Sequence, residues 1–268
     1  MSIHPPKFGF TMLGSGSSGN ASVIHGPEGS LLLDAGFSAA EMRRRMDRVH
    51  VDSASIRAIL ITHAHNDHVN KCGCARFAND LGIPVYLVPE TIRDLREKNI
   101  SIPEKTILFE PGSVFDLCGI HIEPFNVSHD VAAVGFTFST HGRKIGYATD
   151  LGFVSSLAKA RLRGCDLLVL ESNYDPKTLR TSNRPLYVKR RIASNIGHLS
   201  NDDAMKALEE LLAPNTKHLI LAHISRQCND RSLVAELAEA RLAELNRQDV
   251  MFCAASRDTP LDTICLED

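Results

Sequence analysis

The chain has 268 residues, of which 43% are hydrophobic, 23% charged and 6% aromatic. This is ordinary globular usage, so disordered and fibrous classes are excluded and the chain holds enough apolar material for a core. Thirty Lys and Arg against 32 Asp and Glu leave a formal net charge of -2, which excludes a uniformly basic coat protein for nucleic acid. Any site for a polyanion must therefore be local.

Two absences in the sequence bear on where the protein works. No apolar run is long enough to span a bilayer, and the first ten residues lack the apolar stretch of a signal peptide. The seven cysteines show no repeated spacing of a disulfide framework, and Cys72 with Cys74 lacks a second Cys/His pair at zinc-site spacing. We expect a cytoplasmic protein with reduced thiols and no membrane partner.

In the first half of the chain, short apolar runs alternate with turn residues, which predicts mainly strands. The first three strands should pair in antiparallel fashion, and Ser38 is a predicted N-cap. In chain order, we predict strands at 8–13, 21–25 and 30–34, a helix from Ser38 to about Met46, a strand at 56–61, a helix at 70–81, and strands at 84–88 and 106–109.

In the second half, strands and helices come to alternate. In chain order, we predict strands at 119–127, 134–139 and 144–148, a helix near 153–162, a strand at 166–170, a helix at 202–212, a strand at 217–222, a helix at 231–245 and a strand at 250–254. Two sets of strands with interspersed helices fit an α+β fold of the αββα sandwich type, with two mixed sheets flanked by helices. Without a repeat or linker, one domain over residues 1–268 is expected.

The strongest chemical signal follows the predicted strand at 56–61. His63, His65, Asp67 and His68 are four potential metal ligands within six residues. Three imidazoles and a carboxylate crowded together would repel or desolvate one another unless a cation compensated them. The spacing therefore predicts a metal site.

Further ligands are expected where other strands end. His129, Asp150 and His223 each lie just past the carboxyl end of a predicted strand. Loops at such ends can bring side chains from distant parts of a chain to one point. The remaining histidines, His25 among them, lack this placement and are interpreted as ordinary surface or packing residues.

These motifs, in this order and preceded by Asp34, resemble those of the metallo-β-lactamase superfamily across nearly the whole chain. The resemblance implies a two-metal site in which Asp34 orients the ligand loop. The implied ligands are His63, His65 and His129 for one metal, Asp67, His68 and His223 for the other, and Asp150 as the bridge. Such a ligand set suits two divalent ions, Zn²⁺ or Mn²⁺ and also Fe.

Within the superfamily, the details point away from antibiotic hydrolysis. True lactamases usually have a basic non-ligand residue where His68 stands and a cysteine where Asp150 stands, and the large insertion of β-CASP nucleases is absent. The segments 13–20, 33–36, 170–175, 197–200 and 223–225 resemble the WalJ/YycJ-type bacterial exonucleases of the ribonuclease Z-like phosphodiesterase branch. This resemblance implies 5′ to 3′ degradation of DNA and a link to DNA repair.

The opening Gly14-x-Gly16-x-x-Gly19 matches the dinucleotide fingerprint only in its letters, because a strand rather than a helix follows it. Two interpretations stay open: a flexible hairpin, or a tight turn whose hydroxyls and backbone N–H groups bind a phosphate. In the second, the candidate substrate-binding residues of this loop are Ser15, Ser17, Ser18 and Asn20.

A basic segment lies between Asp175 and Asp202, where no acidic residue occurs. A solvated charged face is one interpretation; we favour binding of a phosphate backbone and of stacked single-stranded bases. The residues concerned are Lys177, Arg180, Arg184, Lys189, Arg190 and Arg191, with Tyr174 and Tyr187 nearby. Ser225, two residues after His223, is a further candidate for substrate contact.

Three residues are assigned catalytic roles. Related ribonuclease Z-like enzymes use a histidine that protonates the leaving group and is oriented by an upstream Glu; the matching residues here are His198 and Glu171. Asp67 is expected to orient the attacking water as well as to bind metal. The alternative is that His198 only packs near the helix cap at Ser200 and that Glu171 is a surface acid.

The interpretation we adopt is a two-metal phosphodiester hydrolase acting as a 5′ to 3′ exonuclease on single-stranded DNA. The main alternative is a small-molecule or cyclic-nucleotide phosphodiesterase. A thioester or lactone hydrolase and a non-catalytic, metal-stabilised DNA-binding module are weaker alternatives. The sequence gives no indication of the oligomeric state.

Overall fold

The computed structural model of the protein describes residues 7–266. Its contacts divide these into two compact units, which are described separately. The first comprises the described residues up to Glu123 and from Ser256 onward, and the second is Pro124–Ala255. The expectation of a single domain stays a prediction.

The described residues contain fourteen strands and eight α-helices. The strands are β1 (Gly9–Gly14), β2 (Ala21–Gly26), β3 (Gly29–Leu33), β4 (Ile56–Leu60), β5 (Val85–Leu87), β6 (Thr106–Leu108), β7 (Phe115–Leu117), β8 (Ile120–Val127), β9 (Ala133–Thr140), β10 (Arg143–Ala148), β11 (Leu167–Glu171), β12 (His218–Ala222), β13 (Met251–Ala254) and β14 (Ile264–Cys265). The helices are α1 (Ala39–Arg48), α2 (Gly73–Leu81), α3 (Pro89–Glu97), α4 (Ser156–Leu162), α5 (Pro176–Thr181), α6 (Leu186–Ile192), α7 (Asn201–Leu211) and α8 (Arg231–Glu244).

The first sheet has the strand order β14-β1-β2-β3-β4-β5-β6. Strands β1, β2 and β3 pair in antiparallel fashion, as predicted, and β3 to β6 are parallel. The carboxyl ends of β3 and β4 therefore lie at the same edge. The chain leaves β3 at Asp34 and β4 just before the ligand loop at 63–68, so both groups are brought to one edge.

The second sheet has the order β13-β12-β11-β10-β9-β8-β7. Its strands β10, β11, β12 and β13 are parallel, whereas β9 runs antiparallel to β10. Asp150, Glu171 and His223 stand at or just past the carboxyl ends of three neighbouring parallel strands. The sheets are mixed, with helices between their strands, as the predicted α+β class requires.

Each unit has its own apolar core against its helices. In the first, Met42 and Met46 of α1 and Phe77 of α2 pack in one cluster with Leu32 and Ile59 of the sheet. In the second, residues of α4, α7 and α8 pack with alternate residues of β11 and β12. Burial of one face of these helices against a sheet holds the strand ends in place.

The structure differs from the sequence prediction mainly in short elements. Helix α2 starts at Gly73 rather than residue 70, because the Asn70 side chain accepts a hydrogen bond from the Gly73 N–H (3.0 Å) and so occupies the turn before the helix. The apolar patterns did not predict α3, α5, α6, β7 or β14, all of which have nine residues or fewer.

Within the described residues, no helix has the length and apolarity needed to cross a membrane. All seven cysteines lie in this part of the chain, and none of them forms a disulfide bond.

Candidate metal centre

In the first unit, the loop after β4 gathers four potential ligands. His63 and His68 are completely buried, while His65 and Asp67 are partly exposed. His63 Nε2 lies 3.1 Å from His65 Nδ1, and His68 Nε2 lies 3.7 Å from Asp67 Oδ2. The loop therefore turns ring nitrogens and a carboxylate towards one another, an arrangement suited to a shared cation.

Asp34 fixes the orientation of one of these rings. Its carboxylate accepts hydrogen bonds from the backbone N–H (2.9 Å) and hydroxyl (3.0 Å) of Thr62, and its Oδ2 lies 2.7 Å from His68 Nδ1. Because the carboxylate accepts, Nδ1 of His68 carries the proton and Nε2 keeps its lone pair. Carboxylate–histidine pairs of this kind set the tautomer of metal-binding imidazoles.

The glycine-rich turn between β1 and β2 packs against this loop. Asn20 is completely buried, its N–H donates to the Asp67 carbonyl (2.7 Å), and its side-chain amide donates to His68 Nε2 (2.9 Å). Gly36, which follows β3, lies against both Asp67 and Asn20. A Cβ on Gly36 would overlap the Asp67 carbonyl, so only glycine fits at this position. A strand follows the turn, as predicted.

The predicted substrate-binding residues of this turn differ in exposure. Ser17 and Ser18 are exposed. Ser15 and Asn20 are buried, and the Ser15 hydroxyl donates to Asn20 Oδ1 (2.9 Å). The contacts of Asn20 favour positioning of Asp67 and His68 over a direct contact with substrate.

In the second unit, four side chains converge at the ends of β10, β11 and β12. One ligand atom from each of Asp150, Glu171, His198 and His223 lies within 4.8 Å of the others. Three of them are almost fully buried, whereas the His198 side chain is 19% exposed. The group combines two carboxylates with two imidazoles in a largely buried environment.

Glu171 holds two of these rings with one oxygen. Its Oε1 lies 2.9 Å from His198 Nδ1 and 2.8 Å from His223 Nδ1, and its Oε2 accepts from the N–H groups of Leu151 (3.0 Å) and Leu199 (3.1 Å). Burial works to raise the pKa of this carboxyl, but the neighbouring imidazoles outweigh it and hold the pKa below its usual value. Glu171 is therefore a buried anion that contacts Nδ1 of both rings.

The pKa values of His198 and His129 are shifted in opposite directions. Burial works against a charged His198 ring, but the carboxylates of Glu171 and Asp150 outweigh it and raise the pKa of His198. For His129, burial is the largest effect and lowers the pKa below its ordinary value. His198 is thus favoured as a proton carrier and His129 as a neutral ring.

The surroundings of His129 test whether a metal fits. Its Nδ1 donates to the Gly197 carbonyl (3.1 Å), so in the neutral ring Nε2 bears a lone pair. That nitrogen lies 3.3 Å from Asp130 Oδ1 and 3.9 Å from Asp150 Oδ1. A lone pair facing carboxylate oxygens is repulsive without a cation, so the approach of His129 to Asp150, another proposed ligand, fits a bound divalent metal.

Three of the predicted site residues have left-handed backbone conformations. The φ angles are 60° at Asp34, 58° at Asp150 and 55° at His223, each within two residues of the end of a strand. Non-glycine residues in this region cost about 1–3 kcal/mol and concentrate at functional sites, where they aim a side chain that an extended strand end would not.

Other predicted substrate residues fall into buried and exposed groups. Tyr174 is 7% exposed and packs with Leu179 and Ile192, whereas Tyr187 on α6 is 75% exposed. Ser225 is buried, and its hydroxyl accepts from the Cys228 N–H (3.2 Å). Tyr187 is therefore the aromatic side chain of this segment that is open to a nucleobase.

The basic residues lie on or beside the two short helices. Arg190 and Arg191 of α6 are exposed, and Arg184 and Lys189 are partly exposed. Arg191 forms an ion pair with Asp130 (3.0 Å), and the Lys189 ammonium donates to the Arg180 carbonyl (2.7 Å).

Two contacting residues were missed in the sequence. The Asn173 side-chain amide donates to the His223 carbonyl (2.7 Å), and Asp130 reaches His129. Asn173 lies in a segment already singled out for its resemblance, and Asp130 is next to a predicted ligand, so neighbourhood in sequence was the available signal.

A family model described as "Beta-lactamase superfamily domain" matches residues 30–224. Exodeoxyribonuclease YycJ of Bacillus anthracis is 35% identical over 226 residues, which cover 84% of this chain and 85% of that protein. Exodeoxyribonuclease WalJ of Streptococcus pneumoniae is 32% identical over 245 residues, covering 88% of this chain and 90% of that protein. These similarities extend across both units.

Among solved structures, the metallo-beta-lactamase fold protein YhfI of Bacillus subtilis matches with a TM-score of 0.71 at 17% identity. The match covers 96% of this chain and 99% of YhfI. At this identity the likeness concerns the fold, and it confirms the predicted fold class.

Proposed function

Because this chain belongs to the β-lactamase superfamily, in the group that contains the YycJ and WalJ exodeoxyribonucleases, we propose that it is a metal-dependent exodeoxyribonuclease. We propose single-stranded DNA as the substrate and 5′ to 3′ as the direction. The observation that carries a phosphodiesterase over other hydrolases is the Glu171–His198 pair (2.9 Å), which provides a proton donor of raised pKa. A DNA substrate also agrees with the cytoplasmic location predicted from the sequence.

Two divalent metals are proposed, with Zn²⁺, Mn²⁺ or Fe as candidates. The proposed ligands are those implied by the family resemblance: His63, His65, Asp67, His68, His129, Asp150 and His223. Support comes from the donor chemistry of each unit, above all the neutral His129 ring that faces carboxylates and the His68 ring whose Nε2 keeps its lone pair. When bound, the metals supply Lewis acidity and lower the pKa of water.

The proposed proton transfer uses His198. Glu171 binds the proton on Nδ1, so Nε2 is the position from which a proton passes to the departing oxygen of the phosphodiester. After transfer, the buried carboxylate continues to hold the ring in place. Asp67, which is partly exposed, is proposed to orient the attacking water.

The basic segment supports a polymeric substrate. Exposed cations on α6 can neutralise successive phosphates, and exposed Tyr187 can stack on an unpaired base. A small or cyclic phosphodiester would need neither feature. Ser17 and Ser18 are proposed to contact phosphate from the glycine-rich turn.

The test is degradation of 5′-phosphorylated, 3′-labelled single-stranded DNA by protein loaded separately with Mn²⁺ or Zn²⁺. We expect progressive shortening from the 5′ end and none with His65→Ala. Exchange of Arg190 and Arg191 for Ala should reduce turnover of DNA far more than that of bis(p-nitrophenyl) phosphate. Turnover of the small diester alone would overturn the nuclease proposal in favour of a small-molecule phosphodiesterase.

A further inference from the structure

The segment that follows the basic residues of α6 is fastened to the loop that carries His129. The Ser128 hydroxyl donates to the Asn195 carbonyl (2.7 Å), and His129 Nδ1 donates to the Gly197 carbonyl (3.1 Å). The His198 N–H in turn donates to the Ile192 carbonyl at the end of α6 (2.9 Å). Helix α6 and a proposed metal ligand therefore share one hydrogen-bonded framework.

Two glycines make this approach possible. A Cβ on Gly197 would overlap the Arg191 carbonyl, and a Cβ on Gly152 would overlap the backbone of Asn195. Gly152 also donates to the Ser128 carbonyl (2.9 Å). Backbone packing this close leaves α6 little freedom to shift relative to the ends of β8 and β10.

The Asp130 side chain lies between the His129 ring and the Arg191 guanidinium. Its Oδ1 lies 3.3 Å from His129 Nε2, and its Oδ2 lies 3.0 Å from Arg191 Nη1. The Asp130 side chain is 21% exposed and that of Arg191 is 60% exposed. A guanidinium has five N–H donors, and Arg191 uses Nη1 to bind Asp130 while most of its side chain is exposed.

We propose that Asp130 is a positioning residue that fixes Arg191 beside the His129 ring, so that Arg191 binds a phosphate group of single-stranded DNA next to the proposed metal centre. The inference rests on the proposed function. It separates Arg191 from Arg190, which lies on the same helix, is exposed, and among the described residues has no ion pair.

Simple electrostatics predicts the opposite effect of removing Asp130. A carboxylate repels a nearby phosphate, so its neutralisation should strengthen DNA binding if charge alone mattered. If Asp130 positions Arg191, its neutralisation releases a flexible arginine and weakens binding. The sign of the change therefore distinguishes the two roles.

The experiment measures binding of the full-length, Mn²⁺-loaded protein to a 5′-phosphorylated, 3′-fluorescein, nuclease-resistant phosphorothioate oligonucleotide, by fluorescence anisotropy over a range of salt concentrations. We expect Asp130→Asn and Arg191→Gln each to raise Kd about tenfold, the loss of one charge-assisted hydrogen bond. Each should reduce the salt slope by about 1. The double variant should be no worse than either single variant, because both remove the same contact.

The matched control is Arg190→Gln, whose effect should add to that of Asp130→Asn. The KM for cleavable DNA should rise in parallel with Kd, and Mn²⁺ affinity, measured with a competing chelator, should stay unchanged in Asp130→Asn. Equal or tighter DNA binding by Asp130→Asn would overturn the inference while leaving the nuclease in place. If Asp130→Asn bound Mn²⁺ more weakly and DNA unchanged, Asp130 would be a metal ligand and the positioning role would be wrong. Wild-type protein that neither binds nor cuts single-stranded DNA would overturn the proposed function and the inference with it.

Discussion

Asp34 in the first unit and Glu171 in the second are both fully buried carboxylates at or just past the end of a strand, and each contacts Nδ1 of a histidine. Asp34 serves one ring, His68, and is held by the N–H and hydroxyl of Thr62. Glu171 serves two rings, His198 and His223, through a single oxygen.

The difference separates two uses of the same chemical pair. His68 is completely buried together with its carboxylate, so this pair fixes a tautomer suited to the proposed metal binding. His198 is partly exposed, and burial and carboxylates act on it in opposite directions with the carboxylates dominant. In the proposed mechanism, Glu171 thus combines an orienting role at His223 with control of a proton at His198.

The largest effect is expected for Glu171→Gln. The amide keeps the shape of the carboxylate but removes the charge that raises the pKa of His198, and its NH₂ cannot accept from Leu151 and Leu199 as Oε2 does. We expect kcat on DNA to fall about 10³-fold, the scale of losing general acid catalysis, with a much smaller change in KM. Initial rates at saturating metal provide the measurement.

The pH dependence of the same variant sharpens the comparison. Without the carboxylate the pKa of His198 falls, so the protonated ring is lost at lower pH and the alkaline limb of residual activity should move to lower pH. A Glu171→Gln variant that retains kcat within tenfold of wild type, or an unmoved alkaline limb, would contradict the assigned role. Metal content and thermal unfolding serve as controls for folding.

Asp34→Asn should change the affinity for metal and not the protonation of His198. An amide NH₂ facing Nδ1 favours the other tautomer of His68 and takes away the Nε2 lone pair. We expect Zn²⁺ or Mn²⁺ to bind about 10–100-fold more weakly, as is usual when the carboxylate behind a metal-binding histidine is removed. Competition with a chromogenic chelator measures this, and at saturating metal kcat should recover to near wild type. If kcat stayed as low as in Glu171→Gln, the contrast between the two carboxylates would be lost.

Asp34 and Glu171 also show what the sequence permits. The ligand motif at 63–68 and the strand ends were predictable because long apolar runs define buried strands and because imidazoles crowded beside a carboxylate need a cation to compensate them. The sharing of Glu171 was not, since it depends on the parallel register that sets Glu171 opposite Ala222 and so brings His223 alongside. A register of this kind is a property of the sheet, not of a local pattern.

In the basic segment, the sequence revealed the charges but not the packing of Tyr174. Tyr174 was predicted to lie with the substrate-binding residues, yet it is packed against Leu179 of α5 and Ile192 of α6. Helices of six and seven residues carry too few apolar positions to show a period, so the cover that buries Tyr174 was invisible in the sequence. The charges of the same segment needed no such pattern to be recognised.

His25 extends the comparison to a buried histidine that has hydroxyls where His68 and His198 have carboxylates. Its ring nitrogens lie 2.7 Å from Thr11 Oγ1 and 3.2 Å from Ser30 Oγ, and burial lowers its pKa to about 4. The native state therefore resists protonation while the unfolded chain, with an ordinary pKa near 6.5, does not. The stability that depends on a neutral His25 is complete above pH 6.5 and is lost as the pH falls from there towards 4.

At pH 5 this loss should amount to about 2 kcal/mol relative to pH 7.5, from 1.36 kcal/mol for each pKa unit of difference. His25→Gln keeps a group that can donate to one hydroxyl and accept from the other but does not titrate. Urea unfolding of both proteins at the two pH values measures the free energy of unfolding. Its decrease from pH 7.5 to pH 5 should be smaller in the variant than in the wild type by that amount. Equal decreases would mean that the His25 ring is protonated as easily in the folded protein as in the unfolded chain, so the hydroxyl partners would not keep a buried imidazole neutral.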